Sequence, residues 1–235
     1  MEPAEDVCKV LVLGSSRVGK TSILSRFLHG HFPGRHRATT RDCFRERVAI
    51  NLSLEIEELG SQFAGDHEDI VQSSIISADV IIVVIALDDI DCVNQATRLK
   101  NTVSQTEGNS DCVVIVGNKI DLAERSEEKV SLDELGSNVI ECSARKNINV
   151  TNIFKACLEK YFSLKKSSDP IKVSSQENQQ NLEKVKRENI KTQRSFEMFE
   201  FWKNKMNRKR ITSTLSSNGS QEISRKNLFT TESLF

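Results

Sequence analysis

The sequence predicts an α/β domain built on a parallel-rich sheet with helices on both faces. Three observations carry that expectation. Segments of strand pattern and helix pattern alternate up to about residue 163, the order expected of successive βαβ units. Two strand segments, residues 80–87 and 112–116, are continuous apolar runs, as strands covered on both faces require. The first strand, residues 9–13, empties into a loop of glycine and small hydroxyl residues and then into a helix-patterned segment, a strand–loop–helix entry.

Each element follows in order. After the glycine-containing loop, Ile23, Leu24, Phe27 and Leu28 recur at helical spacing and define the buried face of a first helix. Val48, Ile50, Leu52, Leu54 and Ile56 alternate with polar or small residues, the period of a single half-buried strand. The two apolar runs supply central strands, and residues 139–142 a last short one. A closing helix buries Ile153, Phe154, Cys157, Leu158 and Tyr161.

The 235 residues suit one such domain with an extension. We place an N-terminal tail at residues 1–6, the folded domain at 7–165 and a largely disordered basic extension at 166–235. From Lys166 onward there are 14 Lys/Arg against 8 Asp/Glu, leaving 19 against 25 before it. An acidic domain therefore precedes a basic tail, which is either a solvated polyampholyte or a segment that meets anionic partners. Within the tail, "SFEMFEFWKNKMNRKR" spaces Phe196, Phe199 and Trp202 three apart, beside Lys203, Lys205, Arg208, Lys209 and Arg210. If helical over 194–210, this segment fits an acidic membrane surface, a partner's groove or the acidic domain itself, and "NRKR" also reads as a nuclear-import patch.

The six cysteines are scattered, with no pair at metal-ligand spacing, which points to small buried residues in a reducing compartment. The longest apolar run is far short of a bilayer span, and "MEPAED" is unlike a signal peptide. A soluble, cytoplasmic protein is expected, with peripheral membrane contact or nuclear entry left open through the tail. The ends carry neither a C-a-a-X cysteine nor an N-myristoylation glycine, Glu2 standing in its place, so no lipid anchor is expected by those routes.

The chemistry begins at "GSSRVGKTS". Gly14, Ser15, Ser16, Arg17, Val18, Gly19, Lys20 and Thr21 fit G-x-x-x-x-G-K-[ST] residue for residue, and Ser22 follows. Glycines let successive N–H groups turn inward, and a phosphate there lies at a helix N-terminus. Lys20 would reach the β/γ oxygens of a nucleotide and the Thr21 hydroxyl a Mg²⁺ ion.

A second stretch selects the base. In "VGNKIDL", Asn118, Lys119 and Asp121 directly follow a buried strand. A carboxylate accepts two parallel hydrogen bonds from guanine N1–H and N2–H₂, whereas adenine offers no matching donors, so Asp121 selects guanine and an ATPase or kinase is disfavoured. Ser143 and Ala144 of "ECSARKN" end the next strand, where a backbone N–H can donate to guanine O6.

Taken together, Gly14 to Thr21, Asn118 to Asp121 and Ser143 to Arg145 resemble the Ras superfamily of small GTPases over about residues 7–163. "VLGSSRVGKTSILSRFLHGHF" and "ARKNINVTNIF" further resemble the dexamethasone-induced Ras-like branch. The resemblance implies a P-loop NTPase fold of six mostly parallel strands ringed by five helices. It also implies a GDP/GTP switch with Mg²⁺ that meets effectors and regulators through its switch loops. It places Phe32 against the guanine ring, Lys119 along its other face and Thr39 on Mg²⁺ and the γ-phosphate, with Thr40 adjacent.

The second switch departs from the family's D-x-x-G-Gln, reading "EIEELGSQFAGDHED". Aligning Gly60 puts Glu57 where an aspartate would hold a Mg²⁺-bound water and Ser61 where a glutamine would orient the attacking water. Glu58, or a register on Gly65, stays open, and Gln62 stands one residue late. The catalytic group is thus unassigned between Ser61 and Gln62. A side chain at Ser16, where many relatives keep glycine, can crowd an arginine finger, and Arg17 beside it either faces solvent, the preferred reading, or approaches phosphate in cis. The expectation is nucleotide binding with slow GTP hydrolysis in intracellular signalling. The alternative is a pseudo-GTPase that keeps nucleotide as a structural ligand and acts as an interaction module.

Overall fold

The computed structural model describes residues 6–34, 38–49, 52–106, 111–125, 130–135 and 139–168. The tail segment 194–210, with Phe196, Phe199 and Trp202, lies outside the described residues, as do residues 1–5.

Six strands form one sheet in the order β2-β3-β1-β4-β5-β6. They are β1 (Asp6–Gly14), β2 (Arg41–Ala49), β3 (Leu52–Leu59), β4 (Val80–Ala86), β5 (Val113–Asn118) and β6 (Ile140–Glu141). All neighbours pair in parallel except β2, which runs antiparallel along β3. The longer helices are α1 (Lys20–His29), α3 (Glu68–Ser77), α4 (Cys92–Ser104) and α6 (Val150–Ser168). Two short ones, α2 (Ser61–Asp66) and α5 (Ile120–Ala123), sit at the C-terminal ends of β3 and β5. The expected α/β architecture of six mostly parallel strands is therefore present.

Strand alternation splits the core into two layers. Val10 and Val12 of β1, with Ile82 and Val84 of β4, pack against Ile23, Leu24 and Phe27 of α1 and Ile153, Phe154 and Cys157 of α6. Leu11 and Leu13, with Ile81, Val83 and Ile85, pack on the other face with Val71 and Ile75 of α3 and Ala96 and Val103 of α4. Successive side chains of a strand point to opposite faces, so a continuous apolar run serves both layers at once. The rings of Phe27 and Phe154 stack 3.7 Å apart at 15°, locking α1 to α6.

One element differs from expectation. The alternation from Val48 to Ile56, read as a single strand, belongs to two: β2 ends at Ala49 and β3 begins at Leu52. The pairing slips between Arg47 and Ala49, a bulge that inserts one residue into β2. Val48 lies in the same buried layer as Leu52, Leu54 and Ile56. The apolar period thus runs unbroken through a chain reversal.

Candidate functional site

The site lies along the C-terminal edge of the sheet, where β1, β3 and β5 hand over to loops and helices. The loop after β1 needs its glycines for different reasons. Gly14 has φ 154° and a Cβ there would strike the Val84 carbonyl. Gly19 has φ 99°, caps α1 and lies against the Asn118 amide, where a Cβ would collide. Arg17 takes a left-handed conformation, φ 62°, and its side chain is exposed, as is that of Ser16. Ser22 is half-buried on the first turn of α1.

Lys20 folds back over this loop. Its Nζ donates to the carbonyls of Gly14 at 2.8 Å and Ser15 at 3.0 Å, with the residue 6% exposed. Burial pulls the ammonium below the ordinary lysine range, and the nearby Glu58 carboxylate pushes the other way.

Three oxygens converge beside it. The Thr21 hydroxyl donates to Glu58 Oε1 at 2.6 Å and lies 2.9 Å from the Thr39 hydroxyl. Glu58 is fully buried, and its second oxygen, Oε2, has no hydrogen-bond partner. Burial raises the Glu58 carboxyl above the usual carboxylate range, opposed by the Thr21 hydrogen bond and by Lys20. Buried polar atoms are ordinarily satisfied, so an orphaned carboxylate oxygen next to two hydroxyls fits a small hard cation, which takes oxygen ligands. No group of three or more His, Cys, Asp or Glu that fits a metal occurs among the described residues, so other ligand oxygens would complete its shell.

This geometry moves the carboxylate from Glu57 to Glu58. Glu57 stands one residue earlier in β3, points to the opposite face and pairs with Arg41 on β2 at 2.5 Å. The β1–β3 register sets Glu58 level with Val12, at the start of the phosphate loop. Gly60 follows, so close to the Thr39 and Thr40 backbone that a Cβ would overlap it, and its N–H donates to the Thr40 carbonyl at 2.9 Å. Ser61 is half-buried and Gln62 exposed on α2.

The base-recognition residues form a connected set. Asn118, 2% exposed at the end of β5, donates from Nδ2 to the Val18 carbonyl at 2.9 Å and accepts the Ala144 N–H on Oδ1 at 3.1 Å. One amide thus joins the phosphate loop to the loop after β6. Asp121, 6% exposed in the first turn of α5, accepts the Ser143 hydroxyl at 2.6 Å. Ser143 in turn accepts the Lys146 N–H at 3.0 Å. Lys119 has φ 69° and pairs through Nζ with Asp88 at 3.0 Å. Arg145 is exposed. Phe32, 40% exposed, lies in the segment after α1.

The structure therefore brings Gly14, Val18, Gly19, Asn118 and Ala144 into one connected group, and Thr21, Thr39 and Glu58 into another. Two contributors escaped the sequence. Asp88 follows a buried strand with nothing to mark its partner. Arg26, whose guanidinium donates to the Ala144 carbonyl at 3.0 Å and the Arg145 carbonyl at 2.9 Å, carried one available signal, a basic residue in the last turn of a helix.

Comparison with known proteins agrees with this arrangement. The sequence model of the Ras family matches residues 9–163. GTP-binding protein Rhes of Mus musculus is 32% identical over 170 residues, 65% of this chain and 64% of that protein. Rhes of Homo sapiens is 33% identical over the same length. Ras-like protein family member 11A-like of Danio rerio is 30% identical over 154 residues, covering 59% of this chain and 61% of that protein. The matched region spans just under two thirds of the Rhes proteins' length. By the family model, matched over most of the chain and across every element of the site, this protein belongs to the Ras family.

Proposed function

We propose that this protein is a guanine-nucleotide switch that binds GDP and GTP with Mg²⁺ and hydrolyses GTP slowly. The observation that carries the reading is the Asn118 bridge: a residue of the base motif hydrogen-bonds Val18, 100 positions away in the phosphate loop. A single purine nucleotide then spans the two motifs, its phosphates against the loop and Lys20, its base against Asp121. Thr21, Thr39 and Glu58 would hold Mg²⁺, which neutralises charge on the β- and γ-phosphate oxygens when bound. Lys20 supplies the fixed positive charge and the loop its N–H donors. The named binding role of the Rhes relatives supports the same reading.

Slow turnover follows from the second switch. A small GTPase positions water and stabilises charge rather than forming covalent bonds to protein. Gln62, the nearest glutamine, is solvent-exposed, so the positioning group of a fast enzyme is lacking there. That same observation favours the second reading, a pseudo-GTPase in which nucleotide is structural and the switch face recruits partners. Effectors and regulators would meet the segments around Thr39 and Gly60, whose backbones are joined. No helix of the described residues is long and apolar enough to cross a membrane; peripheral membrane or acidic-partner contact is assigned to Phe199, Trp202 and the basic cluster, in an otherwise cytoplasmic protein.

The test is the nucleotide that co-purifies, with and without EDTA. Retained GTP supports slow turnover, retained GDP supports faster hydrolysis, and an empty protein that takes up no guanine nucleotide overturns the reading.

A further inference from the structure

Arg26 stands outside both nucleotide motifs, on the last turn of α1, yet makes three hydrogen bonds to backbone carbonyls. Its Nη1 donates to Gly30 at 2.8 Å, four residues on. Alone, that contact is an ordinary helix C-terminal cap. The other two are not local. Nε donates to the Ala144 carbonyl at 3.0 Å and Nη2 to the Arg145 carbonyl at 2.9 Å, 118 and 119 residues away in the base-recognition loop. A guanidinium presents five donors in a rigid planar fork, so one side chain can hold three carbonyls; a lysine ammonium on a flexible stem has no such fork.

The consequence turns on one peptide plane. In a trans peptide the C=O of one residue and the N–H of the next point in opposite directions. The carbonyl of Ala144 faces Arg26, so the N–H of Arg145 points away from α1. The N–H of Ala144 is already donated to Asn118. Within this loop the next backbone donor is therefore the one on the peptide that Arg26 grips. Gly30, the third carbonyl, caps α1 in a left-handed conformation, φ 72°, two residues before Phe32.

Building on the guanine-nucleotide reading above, we propose that Arg26 is a positioning residue for base selection. It aims the Arg145 N–H at the 6-oxo group of guanine and ties the root of the Phe32 segment to the base-recognition loop. Displacing the segment after α1 thereby loosens the grip on the base, which gives partners at that segment a route to nucleotide release.

The test uses the full chain carrying Arg26→Gln and Arg26→Lys. Two quantities are measured: release of fluorescent GDP with and without EDTA, and the affinity ratio of GDP to 6-thio-GDP, which keeps N1–H and N2–H₂ but has a poor acceptor at position 6. Arg26→Gln is expected to speed release about tenfold, by the same factor in both conditions, and to halve the GDP preference or more. Arg26→Lys should recover part of each. An unchanged ratio in both variants overturns the proposal even if release quickens, because general loosening of the fold would not discriminate at position 6. A wild-type protein that holds no GDP overturns both this proposal and the functional reading; one that holds GDP while the variants keep its ratio overturns this proposal alone.

Discussion

Thr21 and Glu58, 37 residues apart, are joined by a 2.6 Å hydrogen bond from the hydroxyl at the start of α1 to the carboxylate near the end of β3. The bond turns the Thr21 proton towards Glu58 and leaves the hydroxyl's lone pairs for the space shared with Thr39. A glutamate thus reaches the place for which a shorter acid is expected, because it is the buried residue of a neighbouring pair.

Glu58→Ala should therefore remove most of the magnesium dependence of nucleotide retention. In the wild type, chelation of Mg²⁺ should speed GDP release; in Glu58→Ala that acceleration should shrink by about tenfold, the loss of roughly one good charged contact. Glu57→Ala should leave it within about twofold, since that side chain pairs with Arg41 on the opposite face. Stopped-flow release of a fluorescent nucleotide measures both. Equal effects of the two variants would contradict the assignment.

Gln62→Ala should change single-turnover GTP hydrolysis by less than about twofold, because an exposed side chain on α2 does not orient the attacking water. The wild-type rate should itself be well below that of an ordinary Ras protein. A tenfold or greater loss in the variant would place Gln62 in the reaction.

The cysteines give a prediction with a defined pH sign. Burial penalises the thiolate, so it raises the Cys8, Cys142 and Cys157 thiols, Cys142 to about 12, and Cys92 and Cys112 are also raised chiefly by burial. Only the thiolate reacts. Of the six cysteines, Cys43 is exposed and the other five buried. At pH 8 a thiol reagent should modify one cysteine in the native protein and six after denaturation, with mass mapping at Cys43. Raising the pH to 9 should recruit none of the five buried cysteines, whose thiols burial raises; labelling at Cys142 in the native state would contradict the buried core.

What the sequence displayed, and what it hid, follows from the range of each interaction. The phosphate loop and the Asn118–Asp121 motif were legible because their chemistry depends on residues a few positions apart. The central strands were legible because burial on both faces leaves unbroken apolar runs. The choice between Glu57 and Glu58 was not, since strand parity is fixed by the pairing of β3 with β1 and β2. The β2–β3 reversal was hidden because Val48 of β2 and Leu52, Leu54 and Ile56 of β3 share one buried layer at even spacing. Arg26 was hidden because two of its acceptors lie more than a hundred residues away.

The most direct measurement is calorimetric titration of the folded, Mg²⁺-supplied protein with guanine, adenine and xanthine diphosphates, wild type beside Asp121→Asn. The wild type should bind GDP at least a hundredfold more tightly than ADP, as expected when the wrong base leaves a buried carboxylate unpaired. In Asp121→Asn the preference should shift from guanine towards xanthine, whose 2-oxo group an amide can serve. Adenine and guanine bound equally well, or neither bound at all, would contradict the account.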